Sequence, residues 1–265
     1  MVEVVVDAAH GGRWTSLRSS SGREWLWHRE APGREAVRPG DAFVDAGGLE
    51  ECIPTIGGPP DHGDAWARPW RNEGDALVVD GDGYVLERRI TTEDDTVTAA
   101  YRVKAEEGWR FIWAAHALLE LAPHSTLLAP EGHPAVVAGP SADGVHEFPW
   151  PRFKGTDLSH LGENNGTALM VTLADLDRVT VLDGDEQLHM RLDVAGAPAS
   201  IAIWRNLKGW PDGAPYRNIG VEPMVGRIGE IGLCGPGDAA VIPDSGVLEW
   251  TLTLTCEFGQ GRLTM

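Results

Sequence analysis

The chain has 265 residues, with 40 Asp plus Glu against 22 Lys plus Arg and a formal net charge of −18. A surface that negative repels phosphodiester backbones and anionic lipid, so nucleic acid and membrane are not expected partners. With 42% hydrophobic residues a real core is expected, while no apolar run reaches the length of a membrane span, and three cysteines without a C-x-x-C pair give neither a disulfide framework nor a cysteine zinc site.

The opening segment Met1–Asp7 lacks the basic region and long apolar run of a signal peptide, which predicts a cytoplasmic protein. Glycine (33) and proline (18) then punctuate the chain densely enough to break helices and feed turns, so an all-β fold is expected. In chain order, strands are predicted over Val2–Val6, Tyr84–Ile90, Thr96–Val103 and Arg110–Leu121. Others follow over Ala168–Leu173, Val179–Leu182, Leu188–Val194, Ala199–Trp204, Asn218–Val221 and Val247–Phe258. Thr91–Asp95 reads as a hairpin turn, because Asp tolerates turn geometry. From Leu248 to Phe258 the even-numbered positions are apolar or Cys and the odd-numbered ones are Thr or Glu, the period of a strand with one wet face. Phe111–Leu121 has no clear period. Its aromatic and β-branched opening and the stop at Pro123 favour a buried strand over a helix. With no repeat, linker or low-complexity block, one domain over residues 1–265 is expected, built as two large packed antiparallel sheets.

The densest cluster of unusual residues is the Gly/Pro-rich stretch Phe43–Trp70, a long irregular segment of the kind that carries function. It presents His62, Glu50, Glu51, Arg68, Trp66 and Trp70. A tryptophan offers a flat apolar face with a polar edge, which suits the apolar faces of a sugar ring. The competing reading is that Trp66 and Trp70 plug the core and His62 caps a turn. His116 lies inside the apolar stretch Phe111–Leu121, as a catalyst or as a core histidine with one hydrogen-bond partner. Glu222 ends an apolar strand just before Pro223, where the backbone is steered to extended geometry. An imidazole and a carboxylate from two strands, with a second imidazole on a loop, are the parts of paired general acid and base chemistry near neutral pH.

These residues occur in motifs that resemble the galactose-mutarotase-like proteins, the aldose 1-epimerases, and especially the branch containing hexose-6-phosphate mutarotases. Gly47-Gly48 leads through Cys52-Ile-Pro54 and Gly57 to His62-Gly63, Ala67-Arg68 and Trp70. That series is similar to the branch's Gly-Gly…Cys-x-Pro…His-Gly-x-Ala-Arg…Trp signature, with one residue inserted. Trp113-Ala-Ala-His116, followed by Leu121-Ala-Pro and Leu128-Ala-Pro130, resembles the segment with the catalytic histidine. Ile203-Trp-Arg-Asn206 resembles the late strand ending Trp-Asn, and Val221-Glu-Pro223 with Gly226 resembles the motif with the catalytic glutamate. Gly12–Leu17 with Gly22–Trp25 is similar to the family's first hairpin. Ala46 stands where the sugar-phosphate branch commonly has arginine, and Glu50 and Glu51 where it tends to have neutral residues.

The resemblance implies a large antiparallel β-supersandwich with a sugar site in its concave sheet. It further implies Glu222 as the base at the anomeric hydroxyl and His116 as the acid at the ring oxygen, with His62, Arg68, Trp66 and Asn206 as substrate contacts. The partner is then a monosaccharide, an aldohexose whose α and β anomers are interconverted. No cofactor is expected, since ring opening involves neither redox nor carbanion chemistry. No metal is expected either, because no histidines stand at H-x-H or H-x-x-x-H spacing. Two further functions fit the same fold: a sugar-binding protein without turnover, and a glycoside hydrolase or lyase pairing Glu222 with Glu51 or Asp64.

Overall fold

The computed structural model describes residues 1–259. Its first sheet has nine strands: β1 (Glu3–Asp7), β2 (Arg13–Arg18), β3 (Leu49–Cys52), β8 (Trp113–Leu119), β10 (Pro134–Ala138), β11 (His146–Pro149), β12 (Thr167–Leu173), β15 (Ala199–Leu207) and β16 (Arg217–Val225). Their spatial order is β1-β2-β3-β8-β16-β15-β12-β10-β11. The second sheet has eight: β4 (Arg71–Glu73), β5 (Ala76–Asp80), β6 (Tyr84–Glu93), β7 (Thr96–Ala105), β9 (Thr126–Leu128), β13 (Arg178–Asp183), β14 (Glu186–Val194) and β17 (Val247–Phe258). These lie in the order β9-β13-β14-β17-β7-β6-β5-β4. The pairings within both sheets are antiparallel.

Each predicted strand region forms strand, several extending further, but Arg110–Leu121 is broken at Ile112: Arg110–Phe111 pairs with Ala240–Val241 in a separate small sheet, and the strand of the large sheet runs Trp113–Leu119. The turn expected at Thr91–Asp95 shrinks to its last two residues, because β6 continues to Glu93 and Asp94 alone takes the left-handed conformation (φ 50°). In β17, Leu248, Trp250, Leu252, Leu254 and Cys256 face inward and their neighbours face out, as the alternation requires. β8 and β16 are buried on both faces instead. Their outer face is covered by the irregular segments around them, which is why Phe111–Leu121 shows no clean period.

Between the sheets, β3 sends Glu51 into the core. Its carboxylate accepts hydrogen bonds from Arg88 of β6, Tyr101 of β7 (2.9 Å) and Trp113 of β8 (2.8 Å). This buried ion pair, with both side chains at 0% exposure, joins the two sheets near their middle. Because strand side chains alternate, Glu50 faces the other way, onto the outer surface of the nine-stranded sheet.

Candidate active site

On that outer face the register sets a row across the sheet. Glu50 pairs with His116, and Glu222 with Ala202, which pairs in turn with Thr172. The pairs Gly220↔Leu118 and Met224↔Ala114 bracket His116 and Glu222, so these two stand opposite each other on adjacent strands. His116 Nε2 lies 3.7 Å from Glu222 Oε1. Among the described residues, both carboxylate oxygens of Glu222 and Nδ1 of His116 are buried without a hydrogen-bond partner. Unpartnered polar atoms in this number are costly, and they are the atoms a polar ligand would satisfy. Gly220 makes room for them: a Cβ there would come within 2.3 Å of Glu222 Oε1. Beyond Glu222 the face opens, and Trp204, Thr172 and Met170 are only half-buried.

One wall comes from the segment Phe43–Trp70. Gly63 packs against the chain leaving β3 so tightly that a Cβ would sit 2.0 Å from the Ile53 carbonyl oxygen, and Asp64 N–H donates to that same oxygen. This contact fixes the preceding residue, His62, in the left-handed region (φ 58°). The His62 ring stacks on Phe43 (3.8 Å between centroids) and meets His116 edge-on at 4.9 Å. Its Nδ1 is 2.7 Å from Asp61 Oδ1. Trp66 lies behind Phe43, 1% exposed, with its indole N–H shared between the carbonyls of Asp61 and Gly63. It therefore supports the wall from behind and presents no open face.

The opposite wall was not evident in the sequence. Asp45 accepts from Tyr216 O–H (2.7 Å), from the Asn218 amide (3.0 Å) and from Gly47 N–H (3.0 Å). Tyr216 stacks on Trp27, and the Arg29 guanidinium lies over its ring. Asn218 Oδ1 takes the Trp204 indole N–H and one Asn206 N–H. Asn206 spends its other N–H on the Trp210 carbonyl, and its own oxygen accepts from Gly209 and Trp210 N–H. Its hydrogen-bonding capacity is thus filled by protein. Asn206 holds the loop after β15 in place.

Arg68 is not brought to this face. It pairs with Asp64, whose other oxygen accepts from Tyr84 O–H of the eight-stranded sheet. Glu51 points into the core, so neither Glu51 nor Asp64 is placed to form a carboxylate pair with Glu222. The arginine that meets Glu50 on the outer face is Arg34, which donates to both of its oxygens at 2.7–2.9 Å and to the carbonyls of His10 and Trp66. It comes from a single 3-10 turn (Arg34–Ala36) in a stretch without hydrophobic pattern, so nothing local in the sequence marks it.

Burial dominates the electrostatics. It pushes the Glu222 carboxyl above its ordinary value, against the pull of His116, and pushes the His116 imidazole below its own, with Glu222 opposing and His62 adding to the fall. Burial also raises Glu50 to about 7, against Arg34. Two such groups this close together can exchange protons with a ligand that reaches both. Among the described residues, no group of three or more His, Cys, Asp or Glu is arranged to hold a metal ion, and no helix is long and apolar enough to cross a membrane.

No protein-family model matches the chain, and no curated protein matches it in sequence. Solved structures do match in fold. A Synechocystis sp. PCC 6803 protein, Slr1438, superposes with TM-score 0.73 at 13% identity, over 97% of this chain and 92% of its own. The galactose mutarotase related enzyme of Lactobacillus acidophilus gives 0.66 at 13% identity, over 98% and 96%. A galactose mutarotase-like protein of Lactobacillus casei ATCC 334 gives 0.60 at 15% identity, over 97% and 100%. At such identities the comparison concerns architecture, and nearly the whole of each chain takes part in it. The chain has the galactose mutarotase-like β-sandwich fold.

Proposed function

We propose that the protein is an aldose 1-epimerase, interconverting the α and β anomers of an aldohexose at Glu222 and His116. The observation that carries this reading is the facing pair at 3.7 Å with its unpartnered buried oxygens and nitrogen, beside His62. The two oxygens on an anomeric carbon share one atom, so a base and an acid that are near neighbours can each reach one of them. Glu222 takes the proton of the anomeric hydroxyl as His116 gives one to the ring oxygen. The bond from the anomeric carbon to the ring oxygen breaks, its electron pair stays on that oxygen, and an open-chain aldehyde forms. Rotation about the first carbon–carbon bond and reclosure return both protons and deliver the other anomer. His62 orients the sugar beside His116, and the half-buried Trp204 offers an aromatic face on the same surface.

A test is exchange between anomers followed by NMR or polarimetry for the protein and for Glu222→Gln. Glutamine keeps the shape of the side chain and cannot take the proton. General base catalysis supplies roughly 10²- to 10⁴-fold, so the variant should lose about 3–5 kcal/mol of barrier lowering while sugar binding falls much less. A protein that binds aldoses and accelerates none of them would be a sugar-binding module. Full activity in Glu222→Gln would reject the mechanism.

A further inference from the structure

Among the described residues, three arginines are buried: Arg34, Arg88 and Arg205. Arg34 and Arg88 each meet a buried carboxylate, Glu50 and Glu51 respectively. Arg205 meets none. It is 4% exposed, and its hydrogen bonds go to the Leu161 carbonyl (2.7 Å) and, at 3.5 Å, to the Thr167 hydroxyl. A second cation acts on it. Arg217, half-buried at the start of β16, donates to the carbonyl of the very next residue, Gly162 (3.0 Å), and to Asn164 Oδ1. Consecutive carbonyls of one loop therefore anchor the two guanidiniums. Each has a nitrogen, Nε of Arg205 and Nη2 of Arg217, that is buried without a partner. The register explains the proximity, since Leu207 pairs with Arg217 and Arg205 with Ile219, which puts both side chains on the inner face at one end of the sheet. This is the side away from Trp204, Asn206, Asn218 and Glu222.

A buried cation without a counter-charge is costly, and a second cation beside it adds to the cost. Burial pulls both guanidiniums below their ordinary range; Arg217 adds to the fall for Arg205, while Glu163 and Glu120 oppose it for Arg217. We propose that Arg205 and Arg217 form a binding site for a small oxyanion, a phosphate or a carboxylate, seated under the loop Leu161–Gly166. Two forked donors with unused N–H groups match the several acceptor oxygens of such an anion.

The test is thermal unfolding of the whole protein in inorganic phosphate, in acetate and in chloride at one ionic strength. Ligand that binds only the folded state raises the midpoint by mass action, so about 10 mM phosphate or acetate should lift it by several degrees over chloride. A lift by phosphate alone identifies a tetrahedral anion, and a lift by acetate alone identifies a carboxylate. Arg217→Gln, a half-buried change that spares the buried Arg205, should weaken the response by about tenfold in anion concentration. Broadening of the inorganic phosphate line in ³¹P NMR, lost in Arg217→Gln, gives a second readout for the phosphate case. Equal midpoints in the three salts, or the same lift in Arg217→Gln as in the parent, would overturn the proposal.

Discussion

Among the described residues, none donates a hydrogen bond to Glu222, and this bears on its chemistry. A carboxylate that accepts several N–H groups is held ionised, whereas one buried among apolar neighbours keeps its proton to higher pH. As a base, Glu222 works only after losing its proton, and burial raises its pKa above 4.5. The rate of anomer exchange should therefore fall on acidification along a limb that lies above pH 4.5, and a profile flat down to that pH would remove Glu222 as the base. His116 was legible in the sequence as a lone polar residue in an apolar run, and Glu222 as a carboxylate before proline. Arg34 and Asp45 were not, because their positions come from loops folding back onto the sheet, which leaves no period to read.

At the scale of the element, β16 carries the site on one face and the core on the other. Ile219, Val221 and Val225 pack inward while Asn218, Glu222 and Met224 face out. Gly220 lies in that outward row, where the strand needs no side chain for its own formation. Alanine there would put its Cβ 2.3 Å from Glu222 Oε1 and 3.1 Å from Trp204 Cβ. The carboxylate, at the far end of a flexible side chain, is what must move. Gly220→Ala should cut the exchange rate by about tenfold or more with little change in the unfolding midpoint, since a small misplacement of a catalytic group is expensive. An unchanged rate would show that Glu222 tolerates displacement. Strand β17 displays its faces plainly in alternating residues, whereas β16 and β8, covered on both sides, show only that they are buried. The two catalytic candidates both stand on such doubly covered strands, so sequence pattern located them without revealing which way they point.

For the molecule as a whole, the two sheets meet in a predominantly apolar interior, and the Glu51–Arg88 ion pair joins them across it. Removing one member leaves the other buried and alone, so Arg88→Met should cost about 3–5 kcal/mol in urea unfolding, and adding Glu51→Met should recover much of it. A loss under about 1 kcal/mol would show that Tyr101 and Trp113 suffice for the carboxylate. The two-sheet architecture was legible because Gly/Pro punctuation and strand alternation are local signals. The joint between the sheets was not, since Arg88 lies 37 positions away from its partner. Glu50 and Glu51, linked by one peptide bond, answer to different halves of the molecule: the first to Arg34 over the nine-stranded sheet, the second to Arg88 between the layers. A one-residue slip of this strand against β8 would turn both around together, leaving each arginine facing the wrong neighbour. Heritable change in chain length that shifts this register is thereby barred, whereas point substitutions can reshape either side of the strand separately.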